Sequence, residues 1–262
     1  MSLLEKVLRI FGAYKLYERW LHKRIKNGEI PLHIALILDG NRRWALEKGY
    51  KPWEGHRFGA EKVDELLDWC FELGVKIVTL YVFSTENFKR SAKEVQELFQ
   101  LLKEKGLQYL KDERIHKNHV RIKAIGRKEL LPEDVREVLE KLEEATSNYD
   151  NFFINIAVAY GGRAEIVDAT KNIVRKVLSG QLNIDDINEE LIGKHLYTAD
   201  LPKNDPDLII RTSGEERISN FLLWQCAYSE LVFLDVYWPE FRKIDLMRAI
   251  RIYQRRHRRL GA

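Results

Sequence analysis

Polar side chains gather directly after a short apolar run near the start of the chain. Residues 34–38 are all apolar, and the residues that follow them are Asp39, Gly40, Asn41, Arg42 and Arg43. A helix that begins in such a turn offers free N–H groups and partial positive charge to an anion. A carboxylate beside an anion cradle suggests a metal that bridges the two. The alternative is that Asp39 only caps the helix and that the arginines are solvated.

A second polar segment follows the apolar run that ends at Phe83. It contains Ser84, Thr85, Glu86, Asn87, Phe88 and Arg90. If the two apolar runs are neighbouring strands, these hydroxyl, acid, amide and guanidinium groups lie beside the first loop. The alternative is a plain turn in which Ser84 and Asn87 act as local caps.

Two arginines flank a glycine turn in a third segment, after the apolar run 208–210. Arg211 and Arg217 are six residues apart, and Ser219 follows at a predicted helix start. Guanidinium groups bind phosphate oxygens through paired hydrogen bonds, and a hydroxyl adds a donor, so the segment predicts a diphosphate clamp. Glu230, just before the last strand, could share a metal with Asp39, although a surface or salt-bridged glutamate is the favoured interpretation.

Other phosphate-binding motifs are missing from the sequence. It contains neither GxxxxGK[ST] nor GxGxxG, so the pattern supports neither a P-loop nor a dinucleotide site. His56 follows the first loop closely and is a candidate for the same site, although a lone histidine is usually structural.

Apolar runs alternate with helical patterns along the chain. This alternation predicts an α/β fold with a central six-stranded, mostly parallel sheet and helices on both faces. The predicted strands are 32–38, 77–83, 120–125, 152–159, 208–210 and 231–234, and the predicted helices include 61–73, 94–110, 133–145 and 164–178. Ligands bind at the carboxyl ends of strands in such sheets, so the polar segments are expected to meet at one edge.

Composition and charge describe one large domain with basic ends. The 262 residues are 45% apolar and 32% charged, and no linker or repeat divides them. Residues 1–26 carry a charge of +5 and residues 248–259 carry +6, against +4 for the whole chain, so the middle is net acidic. We expect a basic amphipathic helical extension over residues 1–30 and a main domain over residues 31–262.

The extension has two equally supported interpretations. Its apolar and basic residues fit a helix that lies on a membrane surface, and they also fit a helix packed on its own domain with its basic residues solvated. Nucleic acid is not an expected partner, because basic residues without a recognised reading motif supply only non-specific attraction.

The remaining composition predicts a cytoplasmic protein, with peripheral contact at the inner membrane surface left open. Cys70 and Cys226 are the only cysteines and lack CxxC spacing, so no structural disulfide is expected. No signal peptide is recognised, and no apolar run approaches the roughly 20 residues that span a bilayer.

Four motifs resemble those of the cis-prenyltransferases, the family typified by undecaprenyl diphosphate synthase. They lie at 33–45, 81–87, 155–163 and 211–225, in the family's order, and the resemblance runs from about residue 32 to the end. It implies that the main domain is a catalytic domain, which transfers an allylic prenyl group to isopentenyl diphosphate repeatedly and forms each new double bond cis. The implied product is a long-chain polyprenyl diphosphate, the precursor of a glycosyl carrier lipid.

The resemblance also implies a cofactor and a role for particular residues. Asp39 would hold Mg²⁺ on the allylic diphosphate, residues 40–43 would wrap its phosphates, and His56 would assist. Arg211, Arg217 and Ser219 would hold the diphosphate of isopentenyl diphosphate, and Glu230 would complete the metal site. Asn87, with Ser84 nearby, would guide proton removal by orienting a water or relaying the proton to pyrophosphate. The other implied substrate-binding residues are Trp44, Thr85, Glu86, Phe88, Arg90 and Ile218.

The product and the C-terminus have implied sites as well. An apolar tunnel would hold the growing chain, lined by Val82 and by the helical residues Leu98, Phe99, Leu101 and Leu102, although core packing explains the same residues. Arg259 and Gly261 match a C-terminal RxG signature that reaches toward a partner's active site, so a homodimer is implied.

The chain departs from the bacterial pattern at several positions. Arg42 stands where glycine is common, a variant associated with archaeal and eukaryotic members, and it favours geranylgeranyl over farnesyl diphosphate as the starter. Pro52 stands where many members place a phosphate-binding arginine, and whether Lys51 substitutes is open. Phe88 replaces a usual tryptophan and Ser213 a usual glycine. The competing hypothesis is a non-catalytic accessory subunit, which tends to lose the aspartate and the arginine clamp that this chain retains.

Overall fold

Six parallel strands form the central sheet of the protein. The computed structural model describes residues 13–256. The strands in that range are β1 (His33–Ile37), β2 (Ile77–Ser84), β3 (Val120–Ile125), β4 (Phe152–Tyr160), β5 (Leu208–Arg211) and β6 (Glu230–Phe233). Their order across the sheet is β3-β4-β2-β1-β5-β6, and every neighbouring pair is parallel. The predicted α/β fold class and strand number are confirmed.

Parallel pairing requires crossover connections, and helices supply them between consecutive strands except from β5 to β6, where the chain forms turns. Over the described range the helices are α1 (Ala13–Lys26), α2 (Asn41–Glu47), α3 (Gly55–Leu73), α4 (Ala92–Tyr109), α5 (Glu113–Lys117), α6 (Glu133–Thr146), α7 (Gly162–Leu178), α8 (Glu189–Gly193) and α9 (Lys243–Arg255). Short 3₁₀ turns occupy Thr85–Lys89, Lys128–Leu130, Ile184–Asp186 and Trp238–Glu240.

Both faces of the sheet are buried, which is why its strands read as continuous apolar runs. Alternate residues of β1 point to opposite faces: Ile34 and Leu36 join one core, and Ala35 and Ile37 join the other. The first core includes residues of α3, α4, α6 and α9. On the second face, the Tyr160 hydroxyl donates to the buried Glu165 of α7. Helices therefore cover both faces, as predicted.

The helix α1 packs its inner face against the C-terminal helix α9. Leu21 and Ile25 are buried in the first core, and the Gln254 amide donates to the Ile25 carbonyl at 2.8 Å. The opposite face of α1 exposes Leu16 and Trp20. None of the helices within residues 13–256 has the length and apolar character needed to cross a bilayer. The predicted division at residue 30 stays a prediction.

The last strand begins one residue earlier than predicted, and its register decides where Glu230 lies. Glu230 pairs with Leu208 at the amino end of β5, which in turn pairs with Ile34. Asp39 follows the carboxyl end of β1, so the two carboxylates are separated by roughly 15 Å along the strand direction. Glu230 accepts a hydrogen bond from Arg256 at 2.9 Å instead. The expected sharing of one metal by Asp39 and Glu230 is wrong within this chain, and the salt-bridge interpretation is confirmed.

Candidate active site

Asp39 lies at the carboxyl edge of the sheet and is held by the neighbouring strand. Its Oδ2 accepts from Nη2 of Arg211 at 2.7 Å, and its Oδ1 accepts from the Gly40 N–H at 2.7 Å. The Asp39 N–H donates to the Thr212 hydroxyl at 3.0 Å. Burial works against ionisation, but the hydrogen bond and charge of Arg211, with Gly40 and Arg43, outweigh it and lower the pKa of Asp39. The side chain is therefore a carboxylate near neutral pH.

The turn after Asp39 forms a tight cradle at the start of α2. Gly40 has φ +100° and lies so close to Tyr237 that a Cβ atom would stand 2.7 Å from Cδ1 of that ring. The Arg43 guanidinium donates to the Ser213 hydroxyl at 2.6 Å and lies over the Tyr237 ring. Ser213 itself has φ +77°, the region that favours the glycine usual at its position. The cradle therefore brings backbone N–H groups and a guanidinium to one place.

The structure brings together two of the three residues of the predicted clamp, Arg211 and Ser219. Nη1 of Arg211 donates to the Ser219 hydroxyl at 2.7 Å and also to the Arg217 carbonyl, while its Nη2 holds Asp39. Arg211 is almost fully buried, whereas the Arg217 side chain is exposed and pairs with Glu215. The two arginines thus differ: Arg211 is fixed at the site, and Arg217 reaches outward.

A buried glutamate on α4 connects three basic side chains. Oε1 of Glu94 lies 2.9 Å from Nη1 of Arg90, 3.3 Å from Nε2 of His56 and 3.5 Å from Nε of Arg42. Burial opposes its ionisation, but the bond from His56 and the charges of Arg90 and Arg42 lower the pKa of Glu94. Burial lowers the pKa of His56, so its ring is neutral near pH 7 and donates to the carboxylate. Glu94 therefore orients these groups at the edge of the cradle.

The second polar segment closes the site from the side of β2. The Asn87 Oδ1 accepts from the Ser84 N–H at 3.0 Å in a reciprocal capping arrangement. Glu86 accepts from the Asn220 amide at 2.9 Å, which ties this segment to the loop after β5. The cap interpretation is correct, and the parallel pairing of β1 with β2 also places this segment beside the first loop.

A cavity of about 710 Å³ has its mouth at this polar cluster and continues into an apolar part. Its polar mouth is lined by Asp39, Gly40, Asn41, Arg42, Arg43, His56, Ser84, Glu86, Asn87, Arg90, Arg211, Ser219 and Asn220. Its apolar part is lined by Val63 and Leu67 of α3, Leu80 and Val82 of β2, Leu98, Leu101 and Leu102 of α4, and Ile154 and Ile156 of β4. Phe99, expected in the lining, packs instead against Phe83 and Phe88.

Several predicted substrate-binding residues do not line this cavity. Trp44 stacks on Tyr50 and donates from Nε1 to Glu240 at 3.1 Å. The Thr85 hydroxyl donates to Glu86. Phe88, Arg217 and Ile218 also lie outside the lining. Arg259 and Gly261 fall outside the described residues, so their predicted role is untested.

Sequence reasoning missed Glu94 and Asn220. Glu94 lies three residues after Ser91, whose side chain accepts from the Glu94 N–H at 3.3 Å, and this spacing is that of an ordinary helix cap. Asn220 adopts φ +63°, and its Oδ1 accepts from the Arg163 N–H. Lys51 does not line the cavity and lies over the Trp53 ring, so nothing here supports its substitution for an arginine.

The donor set at Asp39 fits a magnesium ion held together with a diphosphate. Within residues 13–256 no group of three histidine, cysteine, aspartate or glutamate side chains could hold a metal. Mg²⁺ does not need such a group, because it is commonly bound by one or two carboxylates, substrate phosphates and waters. An ionised, partly exposed aspartate beside an anion cradle meets that requirement.

The chain is similar in sequence to a family of synthases. A family model described as "Putative undecaprenyl diphosphate synthase" matches residues 37–261. A Pyrococcus abyssi relative named tritrans,polycis-undecaprenyl-diphosphate synthase (geranylgeranyl-diphosphate specific) is 56% identical over 99% of this chain and 98% of its own. A Methanocaldococcus jannaschii relative of the same name is 54% identical over 95% of this chain and 89% of its own.

Two solved structures are similar in fold and in sequence. Lavandulyl diphosphate synthase from Lavandula x intermedia, in complex with dimethylallyl diphosphate, has a TM-score of 0.86, and a probable undecaprenyl diphosphate synthase from Campylobacter jejuni has 0.72. Each is 35% identical, over 89% of this chain and 99% of its own. The family match spans both the Asp39 cradle and the Arg211 clamp.

Proposed function

Since this chain belongs to the undecaprenyl diphosphate synthase family of prenyltransferases, we propose that it condenses isopentenyl diphosphate repeatedly onto geranylgeranyl diphosphate, forming each new double bond cis. The observation that carries the proposal is a cavity that joins a cationic mouth to a long apolar lining. The archaeal relatives whose names specify geranylgeranyl diphosphate support that starter over farnesyl diphosphate. The product is then a long-chain polyprenyl diphosphate of the kind from which glycosyl carrier lipids are made.

The cradle after β1 is proposed to hold the allylic diphosphate. Breaking the allylic C–O bond places negative charge on the departing diphosphate. Arg42, Arg43 and the free N–H groups of α2 then stabilise that charge where it develops. Glu94, which also bonds to His56, holds Arg42 and Arg90 at the same mouth. The charge on these groups is already in place before reaction, which is what electrostatic catalysis requires.

Asp39 is proposed to hold Mg²⁺ together with the diphosphate oxygens. When bound, the ion neutralises charge on the leaving diphosphate. The lowered pKa of Asp39 keeps the ligand ionised, and Arg211 keeps the carboxylate positioned at the sheet edge.

The Arg211 side is proposed to bind isopentenyl diphosphate. Arg211 and Ser219 offer a guanidinium and a hydroxyl at the cavity mouth, and the exposed Arg217, now paired with Glu215, would have to turn inward to join them. Asn87 lies at the same mouth, where its amide orients a water or relays a proton to pyrophosphate, because an amide is a poor base. The two diphosphates would then lie on opposite sides of Asp39.

Incorporation of labelled isopentenyl diphosphate with Mg²⁺ tests the proposal. Dimethylallyl, farnesyl and geranylgeranyl diphosphates are offered separately, with Asp39→Ala as the control, and product length and double-bond geometry are recorded. We expect long cis-polyprenyl products from the geranylgeranyl starter and their loss in the variant. No incorporation from any starter by folded protein would instead support the accessory-subunit hypothesis, which no observation on this chain favours.

We also propose that the chain is a homodimer. Helix α7 exposes Val167, Val174 and Leu178, which lie on one face of the helix. A second copy that covers this stripe removes the apolar side chains from water. Light scattering is expected to give a dimer mass, and Val174→Asp is expected to shift it to the monomer. A monomeric mass for the unaltered protein contradicts the proposal.

The exposed face of α1 is proposed to contact an anionic membrane surface. Trp20 is 51% exposed and stacks on Tyr17, while Arg24 lies over the Trp20 ring. Aromatic rings beside arginines suit the interface of anionic lipids. Co-sedimentation with phosphatidylglycerol vesicles is expected to fall in Trp20→Ala. Equal binding by both proteins argues that α1 serves only to pack on α9.

A further inference from the structure

A second cavity, of about 440 Å³, lies where helices α1 and α9 end. It shares no lining residue with the cavity of the candidate active site. Arg256 lines it and bonds to Glu230 at the amino end of β6, whereas Asp39 follows the carboxyl end of β1. The two cavities therefore open at opposite edges of the sheet. We call this second cavity, lined by Arg24, Arg251 and Arg256, the amino-edge cavity.

Two basic segments of the chain meet at the amino-edge cavity. Residues 23–29 carry three basic side chains and one acid, and residues 248–256 carry four arginines and no acid. Basic residues in the last turn of a helix complement the partial negative charge there. That effect accounts for Lys26 and Arg255, but Arg251 lies before the last turn of α9. The position of Arg251 therefore needs another reason.

Two of the three arginines at the cavity have no acidic partner. Arg251 is partly buried and makes no hydrogen bond or ion pair among residues 13–256. Arg24 lies over the Trp20 ring and pairs with no carboxylate in the same range, whereas Arg256 is held by Glu230 at 2.9 Å. Guanidinium groups that line one cavity repel one another, and partial burial of an unpaired one costs free energy. A bound anion would remove both costs.

The same cavity also offers hydrogen-bond acceptors. Nε2 of Gln254 donates to the Ile25 carbonyl at 2.8 Å and to the Glu29 carbonyl at 3.0 Å, so this side chain is fixed. Its Oε1 is buried and accepts no hydrogen bond from the part of the chain that the structure describes. The Glu29 carboxylate accepts a long bond, of 3.4 Å, from the Tyr253 hydroxyl. A ligand that satisfies these acceptors carries hydroxyl groups as well as negative charge.

The size of the cavity argues for an organic ligand. Sites for small organic molecules have volumes of about 300–1,000 Å³, and the amino-edge cavity lies within that range. A phosphate group has more oxygens than a carboxylate, so it can bond to guanidinium groups from two helices at once. The site therefore fits a phosphate ester better than a carboxylate or a bare inorganic ion.

We propose that the amino-edge cavity binds the phosphate group of a hydroxylated ester, such as glycerol phosphate. Arg24 and Arg251 hold the phosphate oxygens, and the acceptors of Gln254 and Glu29 take the hydroxyl groups. The ester is either free in solution or the headgroup of a lipid, because Arg24 stands beside Trp20 on the face of α1 proposed above to contact a membrane. The proposal does not depend on the proposed prenyl transfer, since the two cavities share no residue.

Binding of glycerol phosphate to the full chain, measured by isothermal titration calorimetry, tests the proposal. Arg251→Gln removes the charge but keeps a side chain that favours a helix, so it is expected to fold. We expect it to weaken binding about tenfold, as the loss of a hydrogen bond to a charged group does. Arg255→Gln is the matched control, because it removes the same charge from the same helix at an exposed position that does not line the cavity.

Vesicles of phosphatidylglycerol distinguish the two sources of the ester. If the ligand is a lipid headgroup, co-sedimentation with these vesicles is expected to fall in Arg251→Gln and to stay unchanged in Arg255→Gln. If the ligand is a free ester, the two variants are expected to sediment equally, and only the affinity for soluble glycerol phosphate separates them.

Each remaining outcome overturns the proposal. One is an equal loss of binding in Arg251→Gln and Arg255→Gln, which would show that only the overall charge attracts the anion. Another is binding of inorganic phosphate as tightly as glycerol phosphate, which would show that the acceptors play no part. The last is the absence of binding to both the soluble ester and the vesicles. None of these results bears on prenyl transfer, which is measured separately.

Discussion

At the scale of single residues, any side chain at position 40 would be strained, because Gly40 has a positive φ and lies against Tyr237. Gly40→Ala is expected to lower the free energy of unfolding by about 3 kcal/mol, because the methyl group meets Tyr237 and the backbone has a positive φ. Activity is expected to fall with it, since the cradle must shift. Gly49→Ala is the control: Gly49 also has a positive φ, of +80°, but nothing lies within 4 Å of its Cβ position. Its cost in denaturant unfolding should be only about 1 kcal/mol, and equal costs would show that crowding at Tyr237 contributes nothing.

Glu94 is a positioning residue, and its neutral isostere tests that role. Glu94→Gln is expected to lower kcat/KM for the allylic diphosphate about tenfold, or about 1.4 kcal/mol, because Arg42 and Arg90 lose the carboxylate that orients them. Steady-state kinetics against Glu97→Gln measures the effect, since Glu97 is an exposed glutamate on the same helix, 3.9 Å from Arg57. An unchanged or higher kcat/KM would mean that the added positive charge outweighs the lost positioning.

The residues also show what sequence can and cannot predict about a site. Asp39 and Arg211 were identified because their types follow apolar runs, and parallel strands bring those positions to one edge. Glu94 was missed because Ser91 and Glu94 have the spacing of a helix cap, and only the approach of α3 reveals the second role. For Glu230 the favoured interpretation from sequence, a surface or salt-bridged glutamate, agrees with its pairing with Arg256, whereas the metal site implied by the resemblance conflicts with its place at the amino end of β6.

At the scale of elements, substitutions on the two faces of α1 are expected to change the free energy of unfolding by different amounts. Ile25→Ala is expected to lower the free energy of unfolding by about 3 kcal/mol, because Ile25 is fully buried in the core against α9. Leu16→Ala is expected to change it by less than about 0.5 kcal/mol, because Leu16 is 65% exposed. Guanidinium denaturation of both variants measures the difference. A small effect of Ile25→Ala would show that α1 is not part of the folded core.

Element boundaries were predicted less well than element types. The strands were recognisable because burial on both faces demands continuous apolar runs. Helix α3 begins at Gly55 rather than near residue 61, because Gly55 and Gly59 have low helix propensity and conceal its first turns. The hidden turns are the ones that carry His56, so this boundary matters for the site.

At the scale of the whole molecule, the sequence predicts a sheet covered by helices, but it does not predict which side chains of distant helices meet. The sequence predicts a parallel sheet whose loops converge, and this convergence alone brings three polar segments to one mouth. By contrast, Asp64 of α3 bonds to Lys105 and Tyr109 of α4, more than forty positions later in the chain. That meeting follows from the angle between two helices, which local sequence patterns do not encode.

Stability of the whole protein against acid is expected to depend on a buried histidine at the start of β1. His33 is fully buried, its Nε2 lies 2.8 Å from the Thr79 hydroxyl, and its Nδ1 lies 3.1 Å from the Lys203 carbonyl. Burial lowers its pKa from 6.5 to about 4 against the smaller influence of nearby Asp207. Between pH 6.5 and about pH 4, His33 therefore binds a proton in the unfolded chain but not in the folded chain. The contribution of His33 to stability is fully present above pH 6.5, and about 3 kcal/mol of it is lost as the pH falls to about 4.

Replacing His33 with a residue that does not titrate isolates this contribution. In His33→Gln the decline in the free energy of unfolding between pH 6.5 and pH 4 is expected to shrink by about 3 kcal/mol, measured by denaturant titration at each pH. Part of the decline remains, because burial also lowers the pKa of His56. Glu165 acts in the opposite direction, since burial raises its pKa and its contribution is lost as the pH rises. Both groups are present in the variant and in the unaltered protein, so the difference between the two curves belongs to His33. Identical curves would show that His33 gains its proton without unfolding the strand that carries it.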